Sequence, residues 1–461
     1  MANIVKKLLV IGLILLLVCV SIPSTGTIIL ENVLPTELII DGPTSGKVGE
    51  PLKFNLMLID PEGCEFYLSV DWDDGTSTGW TGPYLANEEI KMGHTWNECG
   101  VYTIQAIAEC NSSYYNATFE VKITSSKTLY VGGDGPENYS KIQDAINIAT
   151  DGDTVFVYNG KYVENIDVDK SIELIGEDKE STVIDGNRTG NTVSITTQRV
   201  KITGFKIKNG IKYNNQFICG IFISSSNCTV SGNIILNNTN GIGTSHLAPN
   251  DVFNITITNN IINSSDWRGI FIFNVDNSTV SKNIINYCEF IGLSIADSKN
   301  SYVQDNVINV RDAGGLALST CSNTIVTGNI IKSSKYYGIL LYSSNPLNDG
   351  ACNNLISGNA IINNRYGINI EDSSNNNIIE KNNFIGNKIQ ALLECSLWNN
   401  SEYPCNNSWR ENYWDNWIGN KLNLSIFQKF PKIIIGWRGF NNFIPFYFNF
   451  DWNPAQEPYD I

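Results

Sequence analysis

The chain has 461 residues, and its 46 acidic and 31 basic side chains give a net charge of −15. This acidic balance, without a basic stripe, excludes a protein that binds the phosphates of nucleic acids. With 42% hydrophobic and 17% charged residues and 38 glycines, the chain is too apolar for disorder and unsuited to a helical bundle. The composition is typical of a secreted all-β protein.

The first 26 residues have the plan of a secretory signal peptide. Lys6 and Lys7 precede an apolar run over 8–22, and the small residues Ser24 and Gly26 follow. The run is shorter than the ~20 residues of a membrane span, so we expect membrane contact only through this segment, as a cleaved signal or an uncleaved anchor. Export is also indicated by N-glycosylation sequons at Asn111, Asn116, Asn138, Asn187, Asn227, Asn237, Asn254, Asn263, Asn277, Asn399, Asn406 and Asn423.

The cysteine pattern favours structural roles over metal binding. The chain has 11 cysteines, of which Cys19 lies in the apolar run and ten lie in the exported part. None forms a CxxC pair. Cys395 and Cys405 share a loop with Trp398 and Pro404, which predicts a local disulfide.

Residues 36–125 form the first predicted domain. Apolar and polar positions alternate there over six or seven short stretches separated by turns, which predicts a β-sandwich. The segment resembles the PKD (polycystic kidney disease-type) domain, an Ig-like sandwich that acts as a spacer or adhesive module. The matching stretches are VDWDDGTSTGW (70–80), GPYLANEE (82–89) and HTWNECGVYTI (94–104).

Two residues of this domain are expected to be structural. Trp72 is predicted to fill the core, ahead of a tight Asp-Asp-Gly turn over 73–75. His94 begins a returning strand with no second His or Cys ligand near it, so we expect it to make a hydrogen bond rather than bind a metal.

A calcium site and a disulfide are the other candidate features of the sandwich. Asp60, Asp71 and Asp73 could hold Ca²⁺, although turn-capping carboxylates are the commoner explanation. If Cys64 opens one strand and Cys110 closes its antiparallel neighbour, the two could form a bridge. Calcium is the one cofactor that we consider, and no other is predicted.

Beyond Lys127 the sequence repeats. A glycine before an apolar strand recurs at spacings of 21, 28, 23, 23, 23 and 29, and an Asn before paired aliphatics recurs at spacings of 27, 23, 23, 23, 30 and 24. The glycines are Gly220, Gly241, Gly269, Gly292, Gly315, Gly338 and Gly367. The asparagines are Asn233, Asn260, Asn283, Asn306, Asn329, Asn359 and Asn383.

A period near 23 with short β segments predicts a parallel β-helix over residues 127–395. About eleven turns, or rungs, at ~4.8 Å each would give a rod of roughly 50 Å. The longer spacings are insertions at one corner, over 246–251 and 345–352. The recurring Asn is expected to take the left-handed conformation at a bend and to stack along the axis.

This region resembles the secreted right-handed, pectate-lyase-like β-helix proteins of the NosD-like CASH (carbohydrate-binding and sugar hydrolase) group, especially archaeal surface proteins. The resemblance implies the fold more firmly than an activity. The stretches that carry it are 128–178, from TLYVGGDG to LIGED, TVIDGN (182–187), VKITGFKIKNG (200–210) and ENYWDNW (411–417).

Both ends of the β-helix need covers, because an open rung exposes its core and unpaired backbone groups. Residues 139–150 place Ile142, Ala145, Ile146 and Ala149 at helical spacing, which predicts a capping helix with Ser140 as its N-cap. Residues 396–461 form an aromatic-rich tail, which we expect to cap the last rung rather than dock onto a partner. Its tryptophans are Trp398, Trp409, Trp414, Trp417, Trp437 and Trp452.

A column of charged residues is the first candidate site. Asp266, Glu289, Asp312 and Lys335 each stand three residues before a repeat glycine, so successive rungs stack them. The carboxylates could share a cation or raise one another's pKa, as in a catalytic cluster, or they could form a solvated corner.

Three neighbours could complete a carbohydrate site. Arg268 and Arg311 are close enough in sequence to neutralise part of the column, and Trp267 could stack on a sugar ring. We therefore take Trp267 and Arg268 as ligand-binding candidates, and Arg311 and Lys335 as partners of the carboxylates in any catalysis.

Three functions compete for this sequence. The first, which we favour, is a non-catalytic surface protein that binds a polysaccharide, an envelope glycan or an envelope protein, since stacking alone explains the repeat. The second is a polysaccharide lyase or hydrolase. The third, a copper accessory role, is poorly supported, because copper requires His, Cys or Met clusters and His94 and His246 lie in different domains.

Overall fold

The computed structural model describes residues 36–211, 217–244, 252–343, 350–371, 374–395, 406–417, 431–438 and 446–461. The chain divides between Thr124 and Ser125 into two compact units. The described part contains no helix that is long and apolar enough to cross a membrane. The signal segment over 1–26, His246, Trp398 and Cys405 lie outside the described residues, and so does the side chain of Cys395.

The first unit is a β-sandwich, whose two sheets have the strand orders β1-β3-β6 and β2-β8-β7-β4-β5. The described residues hold eight strands rather than the six or seven predicted, because β2 is too short and polar to show an alternating pattern. The strands are β1 (Glu37–Asp41), β2 (Ser45–Lys47), β3 (Leu52–Ile59), β4 (Glu65–Asp71), β5 (Thr81–Leu85), β6 (Ile90–His94), β7 (Gly100–Cys110) and β8 (Ser113–Thr124).

Aromatic rings fill one end of the sandwich core. Phe54 lies 5.8 Å from Trp72 and 6.0 Å from Trp96 between ring centroids, and the indole N–H of Trp96 donates to the carbonyl of Trp72 at 3.0 Å. Such tilted and edge-to-face pairs add to the burial of the rings themselves. At the other end of β4 and β7, a disulfide joins Cys64 to Cys110, 46 positions apart in sequence.

The second unit is a parallel β-helix, whose stacked rungs form three parallel sheets. Sheet A consists of Thr128–Val131, Thr154–Val157, Glu173–Gly176, Lys201–Thr203, Thr229–Ser231, Thr256–Thr258, Thr279–Ser281, Tyr302–Gln304, Ile325–Thr327, Leu355–Ser357, Ile378–Glu380 and Ser408–Arg410.

Sheets B and C share two long strands, Ile234–Thr244 and Ile261–Phe273, whose first halves lie in sheet B and second halves in sheet C. The other strands of sheet B are Gly160–Tyr162, Thr182–Asp185, Lys206–Lys208, Ile284–Cys288, Val307–Asn309, Ile330–Lys332, Ala360–Ile362, Asn383–Ile385 and Tyr413–Trp414.

Sheet C forms the third side of the coil and pairs in parallel throughout. Its remaining strands are Ile166–Val168, Val193–Ile195, Cys219–Ile223, Ile291–Ala296, Gly314–Ser319, Tyr337–Tyr342, Tyr366–Glu371, Ile389–Cys395 and Lys432–Arg438. The last of these also pairs antiparallel with Phe446–Asp451, and a separate short pair joins Val252–Phe253 to Val275–Asp276.

The repeat glycines lie in one file along sheet C, as the sequence predicted. The pairs that flank Gly269, Gly292, Gly315 and Gly338 keep them in register on successive rungs. A Cβ on Gly315 would lie 2.4 Å from the carbonyl oxygen of Gly338, and a Cβ on Gly269 would lie 2.5 Å from that of Gly292. Close stacking of backbone on backbone therefore requires glycine here.

The recurring asparagines form a buried ladder. Each side-chain carbonyl accepts from the backbone N–H of the Asn on the preceding rung, at 2.9–3.1 Å for the links from Asn233 to Asn412. The ladder residue after Asn359 is Asn382, so the predicted Asn383 is wrong by one position. The left-handed residue is also not the ladder Asn but the one before it, such as Lys282 or Asp305.

A helix, α1 (Ile142–Ile148), lies at the start of the β-helix and buries the predicted Ile142, Ala145 and Ile146. Its N-cap is Lys141, which makes no side-chain cap bond, so the predicted N-cap at Ser140 is wrong. Instead, the carboxylate of Glu164 accepts from the first two helical N–H groups, at 3.0 and 3.1 Å. A carboxylate in this position satisfies backbone donors and complements the helix dipole.

At the other end, tryptophans cover the core as predicted for Trp409, Trp414 and Trp417, which are buried. The prediction is wrong for Trp452, because its side chain is 71% exposed. The ladder ends at the buried carboxylate of Asp451, which accepts from the backbone and side-chain N–H groups of Asn412 and from the indole of Trp414 at 3.0–3.1 Å.

Candidate functional site

The charged column lies in the predicted register on the outside of the β-helix. Pairs on both sides of Asp266, Glu289, Asp312 and Lys335 keep a constant offset of 23 residues between rungs. All four side chains are exposed, and the ammonium of Lys335 lies 3.8 Å from the Asp312 carboxylate. This geometry is that of a hydrated corner, where water screens the charges.

The two arginines near the column do not neutralise it. Arg311 lies over the ring of Tyr287, at 5.6 Å from its centroid, and Arg268 lies over other rings. Neither forms an ion pair with a carboxylate in the part of the chain that the structure describes. The expectation that Arg268 and Arg311 offset the column is therefore wrong, because each side chain turns toward an aromatic surface.

Arg268 is instead the centre of an aromatic cluster. Its guanidinium carbon lies 4.4 Å from the ring centroid of Phe271, 5.3 Å from that of Phe290 and 5.6 Å from that of Trp267. The rings of Trp267 and Phe290 are themselves 4.9 Å apart. Cation–π attraction of this kind is strongest where water is excluded.

The polar atoms of this cluster are not satisfied by protein. The Nε of Arg268 and the Nε1 of Trp267 are buried, and neither has a hydrogen-bond partner among the described residues. Burial lowers the pKa of Arg268 from its ordinary value, an effect that the hydroxyls of Tyr342 and Tyr337 oppose. The guanidinium nevertheless stays charged at neutral pH, because arginine titrates far above it.

Residues from several rungs of sheet C share one outward surface with Arg268. Arg268, Ile291, Gly314 and Tyr337 occupy one file on the outward side of the sheet. A Cβ on Gly314 would lie 2.4 Å from the Tyr337 ring, so the tyrosine leans over the glycine. We call this surface the Arg268 face; it consists of Trp267, Arg268, Phe271, Phe290, Tyr337 and Tyr342.

Small or aliphatic residues form the floor of the Arg268 face. Ile291, Ala317 and Leu340 are buried there as an apolar cluster separate from the β-helix core, and Tyr337 and Tyr342 pack against it. Burial raises the pKa of both tyrosines, so they stay neutral hydrogen-bonding groups. The sequence pointed to Trp267 and Arg268 but missed Phe271, Phe290 and Tyr337, which come from other strand positions and other rungs.

Acidic groups lie beyond the tyrosines on the same side of sheet C. The side-chain amide of Asn369 donates to the carboxylates of Glu371 at 2.7 Å and Glu394 at 3.0 Å. The positive charge of the Arg268 face therefore has a negative border on the side of the C-terminal rungs.

The sandwich residues proposed for calcium are not brought together. Asp71 and Asp73 lie at one end of β4, where Asp71 caps a turn by accepting from the backbone of Asp73 at 2.9 Å and Asp73 accepts from the backbone of Thr103 on β7 at 2.8 Å. Asp60 lies at the other end, beside Cys64. In the described residues this is the one group of close ligand atoms, and its two cysteines are bonded to each other.

His94 has the structural role that the sequence suggested. Its Nε2 lies 2.7 Å from the Asp74 carboxylate, and its ring stacks on Trp72 with a centroid distance of 4.7 Å. Burial raises the pKa of Asp74, but hydrogen bonds from Thr76 and His94 outweigh that effect and leave it below its ordinary value.

Comparison with known families identifies the second unit. The family model described as "Periplasmic copper-binding protein (NosD)" matches residues 146–301 and 251–419, which together span more than half of the chain. No curated protein matches this chain significantly.

The described residues do not fit a copper centre. The thiols of Cys219, Cys288 and Cys321 belong to no group of three or more close ligand atoms among the described residues, and burial raises their pKa to about 12. Burial therefore disfavours the thiolate that a metal would bind. His94 is held between Asp74 and Trp72, and among the described residues it belongs to no group of three or more close metal-ligand atoms.

Several solved structures resemble parts of the chain. The PKD domain of an M14-like peptidase from Thermoplasmatales archaeon SCGC AB-540-F20 is 30% identical over 19% of this chain and 94% of its own, with a TM-score of 0.19. The A-module of Azotobacter vinelandii mannuronan C-5 epimerase AlgE4 is 15% identical over 55% of this chain and 78% of its own, with a TM-score of 0.38.

A third similar structure is the Dettilon tailspike protein, 14% identical over 61% of this chain and 68% of its own, with a TM-score of 0.42. At such identities the resemblance concerns the fold alone. The period of the repeat, the stacked glycines and asparagines and the extent of the family match agree with one another. The chain is a member of the NosD family whose β-helix is preceded by a PKD domain.

Proposed function

We propose that this protein is a non-catalytic secreted or cell-surface protein that binds an acidic polysaccharide across the Arg268 face. One observation carries the proposal: the Arg268 guanidinium is partly buried among three rings and has no carboxylate or hydrogen-bond partner among the described residues. An unpaired, desolvated cation is costly to keep. A ligand carboxylate or sulfate would offset that cost with paired, charge-assisted hydrogen bonds.

The rings beside Arg268 suit the rest of such a ligand. Phe290 is 43% exposed and packs against Trp267, so together they offer an apolar surface to the C–H face of a pyranose ring. The buried Nε1 of Trp267 adds a donor for a sugar hydroxyl or a carboxylate. Cation, flat apolar surface and free donors are the three groups that an acidic sugar requires.

The alternative of a lyase or hydrolase lacks a comparable observation. General acid–base catalysis needs a carboxyl group placed against the scissile bond, with an environment that tunes its pKa. Asp266, Glu289 and Asp312 are instead exposed to water at the corner, and Lys335 approaches Asp312. This arrangement supports the proposal of binding without turnover.

The test uses polygalacturonate as a uniform polyuronate and compares the full-length protein with Arg268→Met. The charge-assisted bonds of Arg268 are worth about 1.5–3 kcal/mol, so affinity should fall roughly 10- to 100-fold in affinity electrophoresis or calorimetry. Binding by the unaltered protein should weaken as salt rises. Arg311→Met is the matched control, because Arg311 also lies over one ring but outside the Arg268 face.

Thermal unfolding separates a lost ligand contact from a damaged fold. Arg268→Met loses the cation–π contacts but also removes a partly buried charge, and the two effects oppose each other, so the unfolding temperature should change little. Equal polyuronate binding by Arg268→Met would contradict the proposal. So would the release of unsaturated or reducing sugars, which would show an enzyme, or stoichiometric copper binding that survives when the polysaccharide is absent.

A further inference from the structure

A cavity at the C-terminal end of the β-helix differs in chemistry from the Arg268 face. It has a volume of about 580 Å³, within the range of small-ligand sites. None of the described residues that line it is charged. They include Asn376, Asn406, Trp409, Asn449, Phe450 and Trp452.

Of the two described tryptophans that line the cavity, one is exposed and the other is buried. Trp452 is 71% exposed, although its ring packs against Phe450 with a centroid distance of 5.2 Å. Trp409 is only 4% exposed, and its indole N–H is buried without an acceptor among the described residues. A buried donor without a partner is costly, so a ligand acceptor at this position would be favourable.

Asparagine amides supply the polar part of the lining. Asn376 and Asn406 lie on adjacent rungs, where the backbone N–H of Asn376 donates to the carbonyl of Asn406 at 2.7 Å. The backbone N–H of Asn406 in turn donates to the side chain of Asn375 at 2.9 Å. These bonds fix the backbone on which the two amides stand, and each amide offers both a donor and an acceptor.

We propose that this cavity is a second binding site, for a neutral saccharide. The exposed ring of Trp452 provides an apolar platform, and the amides and the Trp409 N–H provide partners for hydroxyl groups. Among the described residues the lining offers no counter-ion to a uronate or sulfate, so the ligand class differs from that of the Arg268 face. The site stands on its own observations and does not depend on the proposed acidic-polysaccharide binding.

The test measures binding of neutral trisaccharides of glucose, galactose and mannose to the full-length protein by calorimetry and tryptophan fluorescence. The protein is made in a host without N-glycosylation, because Asn406 begins the sequon Asn406-Asn407-Ser408 and a glycan there would fill the cavity. Trp452→Ala should reduce affinity for the preferred trisaccharide at least 10-fold. Trp409→Phe keeps an aromatic ring but removes the N–H, and it should reduce affinity several-fold.

Two control variants make the outcome specific. Trp80 is 51% exposed on the sandwich, so Trp80→Ala removes an exposed tryptophan from the other unit and should bind the trisaccharide normally. Arg268→Met should bind it normally too. The inference is overturned if no trisaccharide binds in the millimolar range, or if Trp452→Ala binds as tightly as the unaltered protein; polygalacturonate binding then reports independently on the Arg268 face.

Discussion

The sandwich and the β-helix are both built from β-strands, yet they are stabilised differently. In the sandwich, β7 pairs with β4 and β8, and a disulfide and the aromatic rings around Phe54 bind distant segments together. In the β-helix every strand pairs with the equivalent strand one rung away, and the core is largely aliphatic. A change in the sandwich should therefore act on the whole unit, whereas a change in the β-helix should act on adjacent rungs.

The largest expected effect belongs to the disulfide. Replacing Cys64 and Cys110 together by serine releases a link across 46 positions, for which loop-closure entropy gives about 4 kcal/mol. Calorimetry should show the sandwich transition at a lower temperature and the β-helix transition unchanged. Reducing agent should have the same effect on the sandwich, because it cleaves the bond between Cys64 and Cys110. Cys219, Cys288 and Cys321 are free thiols, which a reductant leaves unchanged. An equal shift of both transitions would break the contrast between the two units.

The next effect concerns the asparagine ladder. The Asn306 amide donates to the carbonyl of Val280 and to Asn329, and its oxygen accepts from Asn283. Asn306→Leu leaves these buried groups unpaired and should lower the free energy of unfolding by about 3 kcal/mol. Denaturant unfolding of the β-helix measures this loss.

The matched control is Asn309→Leu. Asn309 belongs to the same rung, but its side chain is outward and partly exposed. Its replacement should change the unfolding free energy by no more than about 0.5 kcal/mol. Similar losses of unfolding free energy in the two variants would mean that the hydrogen bonds of the ladder add no stability.

The smallest effect is expected at the glycine file. A methyl group on Gly315 would lie 2.4 Å from the carbonyl of Gly338, so Gly315→Ala must push two rungs apart, at about 2 kcal/mol. Gly190→Ala is the control, because no atom lies within 4 Å of a Cβ at that position. Hydrogen exchange should show faster exchange confined to the rungs next to Gly315; uniform loosening of the β-helix would contradict nearest-neighbour stabilisation.

Much of the fold could be predicted because the same residue pattern recurs on successive rungs. The spacing of Gly269, Gly292 and Gly315 fixes the rung length, and the stacked carbonyls explain why no other residue fits. The error at Asn383 arose where two asparagines are adjacent, so the pattern of aliphatic residues could not decide between them. The N-cap error arose because the group that caps α1 is Glu164, a residue from the following rung.

The candidate sites were harder to predict, because side chains from different rungs build them. Trp267 and Arg268 are adjacent in sequence, so their pairing was visible, but the Arg268 side chain points toward Phe271 and Phe290, and Phe290 belongs to the next rung. The end cavity depends on Trp452, which the sequence pattern placed in the cap because it does not distinguish a covered tryptophan from an exposed one.

Asp451 ends the asparagine ladder, so additional rungs fit before it more easily than after it. Its carboxylate only accepts hydrogen bonds, and it takes up the donors of Asn412 that another Asn would otherwise receive. A duplicated turn inserted upstream would find matching donors and acceptors on both sides. A turn appended after Asp451 would meet a carboxylate side chain, which accepts hydrogen bonds and has none to donate. Duplication of an internal rung can therefore lengthen the β-helix, while Asp451 remains at the end of the ladder.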